Sequence, residues 1–183
     1  MKGARASVEV QVAGLTIDPY TNMPIVVLRD LAGKHQVPIW IGLVEASAIA
    51  TQLENIKLAR PMTHDLMMSL MDEVDAKLER IEVTELKDDT FFASLHVKVG
   101  ARSLVFDARP SDAIALALRA KAKIFVSPDV IEQAKLAEQK TDVGDRPPPD
   151  KNSPGALLAG QPPAKWAEIL ENLSPEDFGK FKM

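Results

Sequence analysis

No cysteine occurs in the 183 residues. That absence excludes disulfides, thiolate nucleophiles and cysteine-ligated zinc or iron–sulfur sites. It suits a reducing compartment, so a cytoplasmic location is expected. No apolar run approaches the ~18–20 residues that span a bilayer, and no membrane partner is expected. The start, MKGARASVEV, is basic but has no apolar stretch behind it, so no signal peptide is expected. Positive charge is also scarce: 22 Lys and Arg stand against 26 Asp and Glu, a net charge of -4. Proteins that hold nucleic acid along its length usually carry basic surfaces, because phosphate neutralisation supplies most of the affinity. With no basic run here, any such contact has to be local, through a few arginines. Walker A, Gly-x-Gly-x-x-Gly and Gly-x-Ser-x-Gly loops are missing as well. The three histidines, His35, His64 and His96, do not stand at metal-binding spacing.

What is present is a pattern that occurs twice. Val8, Val10 and Val12 alternate with polar residues, the period of a half-buried strand. PIVVLR (24–29) and VPIWI (37–41) flank a turn at Gly33, and GLVEASAIATQLEN turns helical. From residue 78 the same order returns. LERIEVTEL alternates, FFASLHVKV and RSLVFDA flank Gly100, and SDAIALALRA is helical. Set side by side, the units put Trp40-Ile41-Gly42 opposite Val105-Phe106-Asp107, and Ala48-Ile49-Ala50 opposite Ala113-Ile114-Ala115. Between the two units Leu66, Met67, Leu70, Met71 and Val74 make an amphipathic helix, in which Met67, Met68 and Met71 read as core packing. Ser127-Pro128-Asp129 opens one more helix, running to about Gln139.

These elements predict an α+β fold, a duplicated strand–hairpin–helix unit forming one compact domain over residues 1–140. Residues 141–163 hold six of the thirteen prolines and read as a linker. Residues 164–183, with Trp166, Ile169, Leu170, Leu173, Phe178 and Phe181, read as a short helical tail. About twenty residues cannot form a core of their own, so the tail is expected to dock on the domain, a partner subunit or another protein.

Two polar clusters stand at helix entrances. In DARPSD (107–112), Ser111 reads as an N-cap, Asp112 as a first-turn carboxylate and Pro110 as a stop for the preceding strand. Capping alone accounts for every residue. A helix N-terminus flanked by Arg109 is equally an anion site, and phosphodiester hydrolysis would add carboxylates to hold a metal ion or position water. In RPMTHDL (60–66) the Arg-Pro-then-cap pattern recurs, with Thr63 as N-cap. A histidine such as His64 can act as general acid or base, although a first-turn histidine is ordinarily exposed and idle. Asp65 suits the helix dipole, and so does Glu45 at the first unit's helix. If the two units pack about a pseudo-twofold, the three acid-bearing helix starts can converge. Glu85-Leu86-Lys87 matches half of a restriction-type nuclease site, a triplet that arises easily in so charged a chain.

In order along the chain, PIWIG with EASAIA, RPMTHDL, DDTFFASL and DARPSDAIALALR with IFV strongly resemble the bifunctional nuclease domain family, over roughly residues 8–135. LENLSPEDFGKF resembles the end of many bacterial members. The resemblance implies a compact α+β domain, a homodimer, and nuclease activity on DNA and RNA. No catalytic assignment comes with it. On this reading Glu45, Asp65 and Asp112 supply carboxylates, His64 moves a proton, and Arg60, Arg109 and Ser111 hold phosphate, with Mg²⁺ or Mn²⁺ as the candidate cofactor. The alternative is a non-catalytic dimeric regulatory or scaffold module that recruits a protein partner through residues 164–183. A nuclease should bring at least two of the carboxylates together beside Arg60 or Arg109; a scaffold should scatter them as separate caps.

Overall fold

The alternating segments become strands and the apolar-periodic ones helices, in a computed structural model that describes residues 6–18 and 20–140. The expected linker and tail lie outside these residues. The first unit is β1 (Val8–Ile17), β2 (Pro24–Asp30), β3 (Gln36–Trp40) and α1 (Leu43–Leu53). After α2 (Thr63–Glu73) the second unit follows as β4 (Ala76–Lys87), β5 (Thr90–Val99), β6 (Arg102–Ala108) and α3 (Pro110–Ala120). β7 (Lys123–Val126) and α4 (Pro128–Lys140) close the described chain. Among the described residues no helix is long and apolar enough to cross a membrane.

The fold is α+β, built on one mixed seven-stranded sheet of order β3-β2-β1-β7-β4-β5-β6. Each unit is an antiparallel meander closed by a helix. β7 lies between them, antiparallel to β1 and parallel to β4. The two meanders therefore run in opposite directions, as a twofold through β7 requires. The duplication is real, but its register is not the one the apolar letters suggest. Asn22 and Asp89 both take φ 56°, and Gly33 and Gly100 both take left-handed turn conformations; each pair is 67 residues apart. Leu43 and Pro110, which open two helices of eleven residues each, have the same separation. The apolar letters coincide instead at a separation of 65. Strand patterning repeats every two residues, so a slip of two leaves every apolar strand position facing the same way and goes unnoticed there.

The helix entrances also differ from expectation. Arg109 is the N-cap of α3, Pro110 its first residue, and Ser111 is buried inside the first turn with no capping hydrogen bond recorded there. Proline has no N–H to satisfy and a preset φ, so it starts the helix rather than stopping the strand. In α2 the N-cap is Met62, not Thr63, because the Asp65 carboxylate accepts a hydrogen bond from the Met62 N–H at 2.9 Å and fixes the turn one residue earlier.

Ala46, Ala48 and Ala50 of α1 and Ala113, Ala115 and Ala117 of α3 are buried, and the two helices pack together. Small side chains let helix axes approach closely. Along a flat sheet the edges β3 and β6 would lie six spacings apart, about 29 Å. Register slips at Val12/Gly14 in β1 and at Leu78/Arg80 and Val83/Glu85 in β4 are β-bulges, which bend and twist strands. The curl brings the loops after β3 and β6, and with them the starts of α1 and α3, to one place. The stripe of α2 is not core. Leu66, Leu70 and Val74 are 55%, 60% and 62% exposed, Met67 is exposed too, and only Met68 and Met71 pack against the core.

Candidate functional site

The N-terminal turns of three helices meet at the Arg109 side chain. Its Nη1 donates to Glu45 Oε1 at 2.8 Å, while Nε and Nη2 make a fork onto Asp112, at 2.7 Å to Oδ2 and 3.1 Å to Oδ1. His64, from the first turn of α2, places Nε2 3.2 Å from the same Asp112 Oδ1. Glu45 and Asp112 each stand third in their helix, the same position in the two units. Four of the seven residues singled out in the sequence are thereby assembled: Glu45, His64, Arg109 and Asp112. His64 is no idle surface residue, since only 13% of its side chain is exposed. Arg109 is the open member, 64% exposed.

Burial alone would raise the Asp112 carboxyl, but hydrogen bonds from Arg109 and His64 outweigh it and hold the group below the usual aspartate range. The Asp112 hydrogen bonds push the Arg109 guanidinium further up, against the opposing effect of burial. When Nε2 carries the proton shared with Asp112, the Nδ1 lone pair of His64 is left to accept one. Neither Gly42 nor Arg109 caps its helix through a side chain, so the first-turn N–H groups of α1 and α3 add positive potential at the same spot. The arrangement can orient an imidazole and present a guanidinium to an anion.

The other three residues are placed differently. Asp65 turns away to Arg119, whose Nε donates to its Oδ1 at 2.6 Å. Burial opposes ionisation of Asp65, yet the Arg119 and Met62 hydrogen bonds prevail and lower its carboxyl. Arg60 lines a separate open cleft beside Asp65 and Arg119. Ser111 is buried, and among the described residues its hydroxyl makes no hydrogen bond to the cluster. Three convergent carboxylates are therefore not found. Among the described residues no group of three His, Asp or Glu side chains is arranged to hold a metal ion, and Arg109 stands between the two carboxylates that do approach. The donor set does not fit the expected three-carboxylate metal site.

Arg119 escaped the sequence reading. Its side chain is 6% exposed, and Nη1 also donates to the carbonyls of Ala48 and Ala115, both at 3.0 Å. The signal was a lone cation on the alanine–leucine face of α3, where a buried charge demands partners.

The bifunctional nuclease domain model matches residues 26–139, a span that holds every member of the cluster. An uncharacterised protein of Mycobacterium tuberculosis is 34% identical over 172 residues, 93% of this chain and 97% of that protein. Bifunctional nuclease 2 of Arabidopsis thaliana is 30% identical over 114 residues, which cover 56% of this chain and 35% of the plant protein. Bifunctional nuclease 2 of Oryza sativa subsp. japonica is 28% identical over 117 residues, or 62% of this chain and 36% of that one. With that match over most of its length, the chain belongs to the bifunctional nuclease domain family.

Proposed function

We propose that the protein hydrolyses phosphodiester bonds of nucleic acid at the cluster of Glu45, His64, Arg109 and Asp112. One observation carries the reading: three separate helix starts converge on one oriented imidazole and one exposed guanidinium. Asp112 positions His64, which takes the proton from the attacking water through Nδ1. Arg109 exchanges its single bond to Glu45 for a phosphate oxygen, while the fork to Asp112 keeps it in place. The oxygen of water bonds to phosphorus as the bond to the leaving oxygen breaks. The departing oxygen takes a proton from solvent, and His64 gives the proton it took back to solvent, which restores the neutral imidazole.

The test is cleavage of labelled single-stranded RNA and DNA by highly purified protein with Mg²⁺, Mn²⁺ or EDTA, beside the Asp112→Asn variant. Cleavage that falls at least a hundredfold in the variant, with a cooperative melt retained, is the expected result. Equal cleavage by both proteins refutes the site, and cleavage by neither refutes the activity.

A second reading, a dimeric module without catalysis, is favoured by the β6 edge. β3 carries Pro38 and cannot extend the ladder there, whereas β6 offers Val105 and Phe106, 63% and 48% exposed, beside unpaired backbone. Two copies could pair antiparallel about Val105, with Leu104 opposite Phe106. Sedimentation velocity decides: a dimer that Val105→Lys dissociates supports the pairing, and a monomer at all concentrations removes it.

A further inference from the structure

The cluster has a charge problem as a nucleic-acid site. Two carboxylates face one guanidinium, an excess of one negative charge when His64 is neutral. Such a site cannot hold a polyanion unaided, and the affinity must come from elsewhere on an acidic protein. The open cleft of about 370 Å³ between the end of α1, the following loop and α2 has the opposite balance. Lys57, Arg60 and Arg119 line it against one carboxylate, Asp65, which leaves two positive charges in excess.

Arg119 makes the cleft a built site rather than a patch of surface cations. It is held rigid by Asp65 and two helix carbonyls, yet its Nη2 has no hydrogen-bond partner among the described residues. Nη2 is not among the fully buried polar atoms, so it opens toward the cleft, where an anion can take the place of water on it. Lys57 and Arg60 are exposed and line the same cleft, so both can reach the same ligand. Ile56 and Pro61 add apolar wall, which suits a sugar or base and not a bare inorganic anion.

We propose that this cleft seats a backbone phosphate and its nucleoside from single-stranded nucleic acid, away from the bond that is cut. The ligand class rests on the nuclease reading; the position rests on the cleft. α3 sets the spacing, because Asp112 and Arg119 lie seven residues apart on it, about 10 Å. That corresponds to roughly three nucleotides of stacked strand at ~3.4 Å each. His64 and Asp65, adjacent in α2, tie the two places together, one reaching Asp112 and the other Arg119. A cleft of about 370 Å³ accepts one nucleotide, so a duplex should bind far less well.

Fluorescence anisotropy with a labelled twelve-nucleotide single-stranded DNA, in EDTA and across a salt series, tests the proposal on the full chain. The Lys57→Ala/Arg60→Ala double variant changes only exposed side chains and should fold normally. Its Kd should rise at least tenfold, and its salt slope should fall by about 0.7, the loss of one single-strand phosphate contact. An unchanged Kd in this variant overturns the proposal, as does failure of the wild-type chain to bind. Equal affinity for the duplex overturns its single-strand part. Asp112→Asn separates the two readings, because it should keep oligonucleotide binding while losing cleavage. Wild-type protein that binds through Lys57 and Arg60 but never cleaves refutes the nuclease and supports the cleft; cleavage with unchanged binding in the double variant does the reverse.

Discussion

The two units of the sheet share topology, turn positions and helix length, yet they treat one equivalent carboxylate in two ways. In the first unit Glu45 receives a single hydrogen bond, from a residue that belongs to the other unit. In the second, Asp112 is a hub with two bonds from Arg109 and one from His64. Residue 42, which corresponds to Arg109, is a glycine, and residue 52, which corresponds to Arg119, is a glutamine. A twofold-related scaffold has placed two acids side by side, and the second unit alone has acquired Arg109, the cation that organises them. The function proposed here depends on that asymmetry.

The sharpest way to break the comparison is to delete each acid in turn. Asp112→Ala frees His64 and Arg109 together, and cleavage should fall by about 10³-fold, within the range for losing oriented general acid–base catalysis. Glu45→Ala leaves the hub intact and should cost no more than about tenfold, mostly through the resting position of Arg109. Rates measured with one RNA substrate settle the matter. Equal losses would mean that both acids act alike and that the asymmetry is incidental.

Stability should divide the units next. Arg119→Ala leaves the Asp65 carboxylate and two carbonyl contacts without their partner, and breaking a buried charge pair costs about 3–5 kcal/mol. Asp65 is partly exposed, so the lower end applies, with a fall in Tm of roughly 10 °C for a chain of this size. The equivalent change, Gln52→Ala, should stay within about 1 kcal/mol. Calorimetry of both variants gives the contrast directly.

How much of this was legible beforehand follows from what sequence can encode. Apolar periodicity and turn glycines carried the strands, the helices and the duplication, because local residue types determine them. The register of the duplication was misread by two because alternation is blind to that slip. Glu45, His64, Arg109 and Asp112 could be picked out as chemistry-bearing residues at helix starts. Their meeting could not, since it depends on bulges in β1 and β4 and on alanine-lined contact between α1 and α3. Asp65 looked like Asp112 in sequence, and it parted company only because Arg119 lies within reach of it. The exposed stripe of α2 was misread for a related reason: periodicity shows that a helix has an apolar face but not which neighbour, if any, covers it.

Acid should act through the second unit as well. The folded Asp112 carboxyl titrates below its usual range, so the unfolded chain binds a proton first as pH falls. The stabilisation is complete above the ordinary aspartate value near 3.8 and is lost as pH drops through the lower folded value. Asp65 works in the same direction. Denaturant midpoints between pH 5 and pH 2 should therefore fall less steeply in Asp112→Asn than in the wild type. Parallel curves would show that the Arg109 and His64 bonds do not persist in solution.

The smallest effect belongs to Gly42, the counterpart of Arg109. Its φ of -72° suits any residue, so the backbone does not require glycine there. A Cβ at this position would instead overlap the Glu45 carboxylate, which folds back over the start of α1. Gly42→Ala should turn that carboxylate aside and weaken its bond to Arg109, at a cost of about 0.5 kcal/mol for so exposed a pair. Cleavage should fall a fewfold, in the direction of Glu45→Ala but by less. Combining the two gives the decisive reading, because once Glu45 is alanine the added Cβ has nothing to displace. The double variant should then match Glu45→Ala alone. Additive losses would show that Gly42 acts on α1 itself and not through the carboxylate that joins the two units.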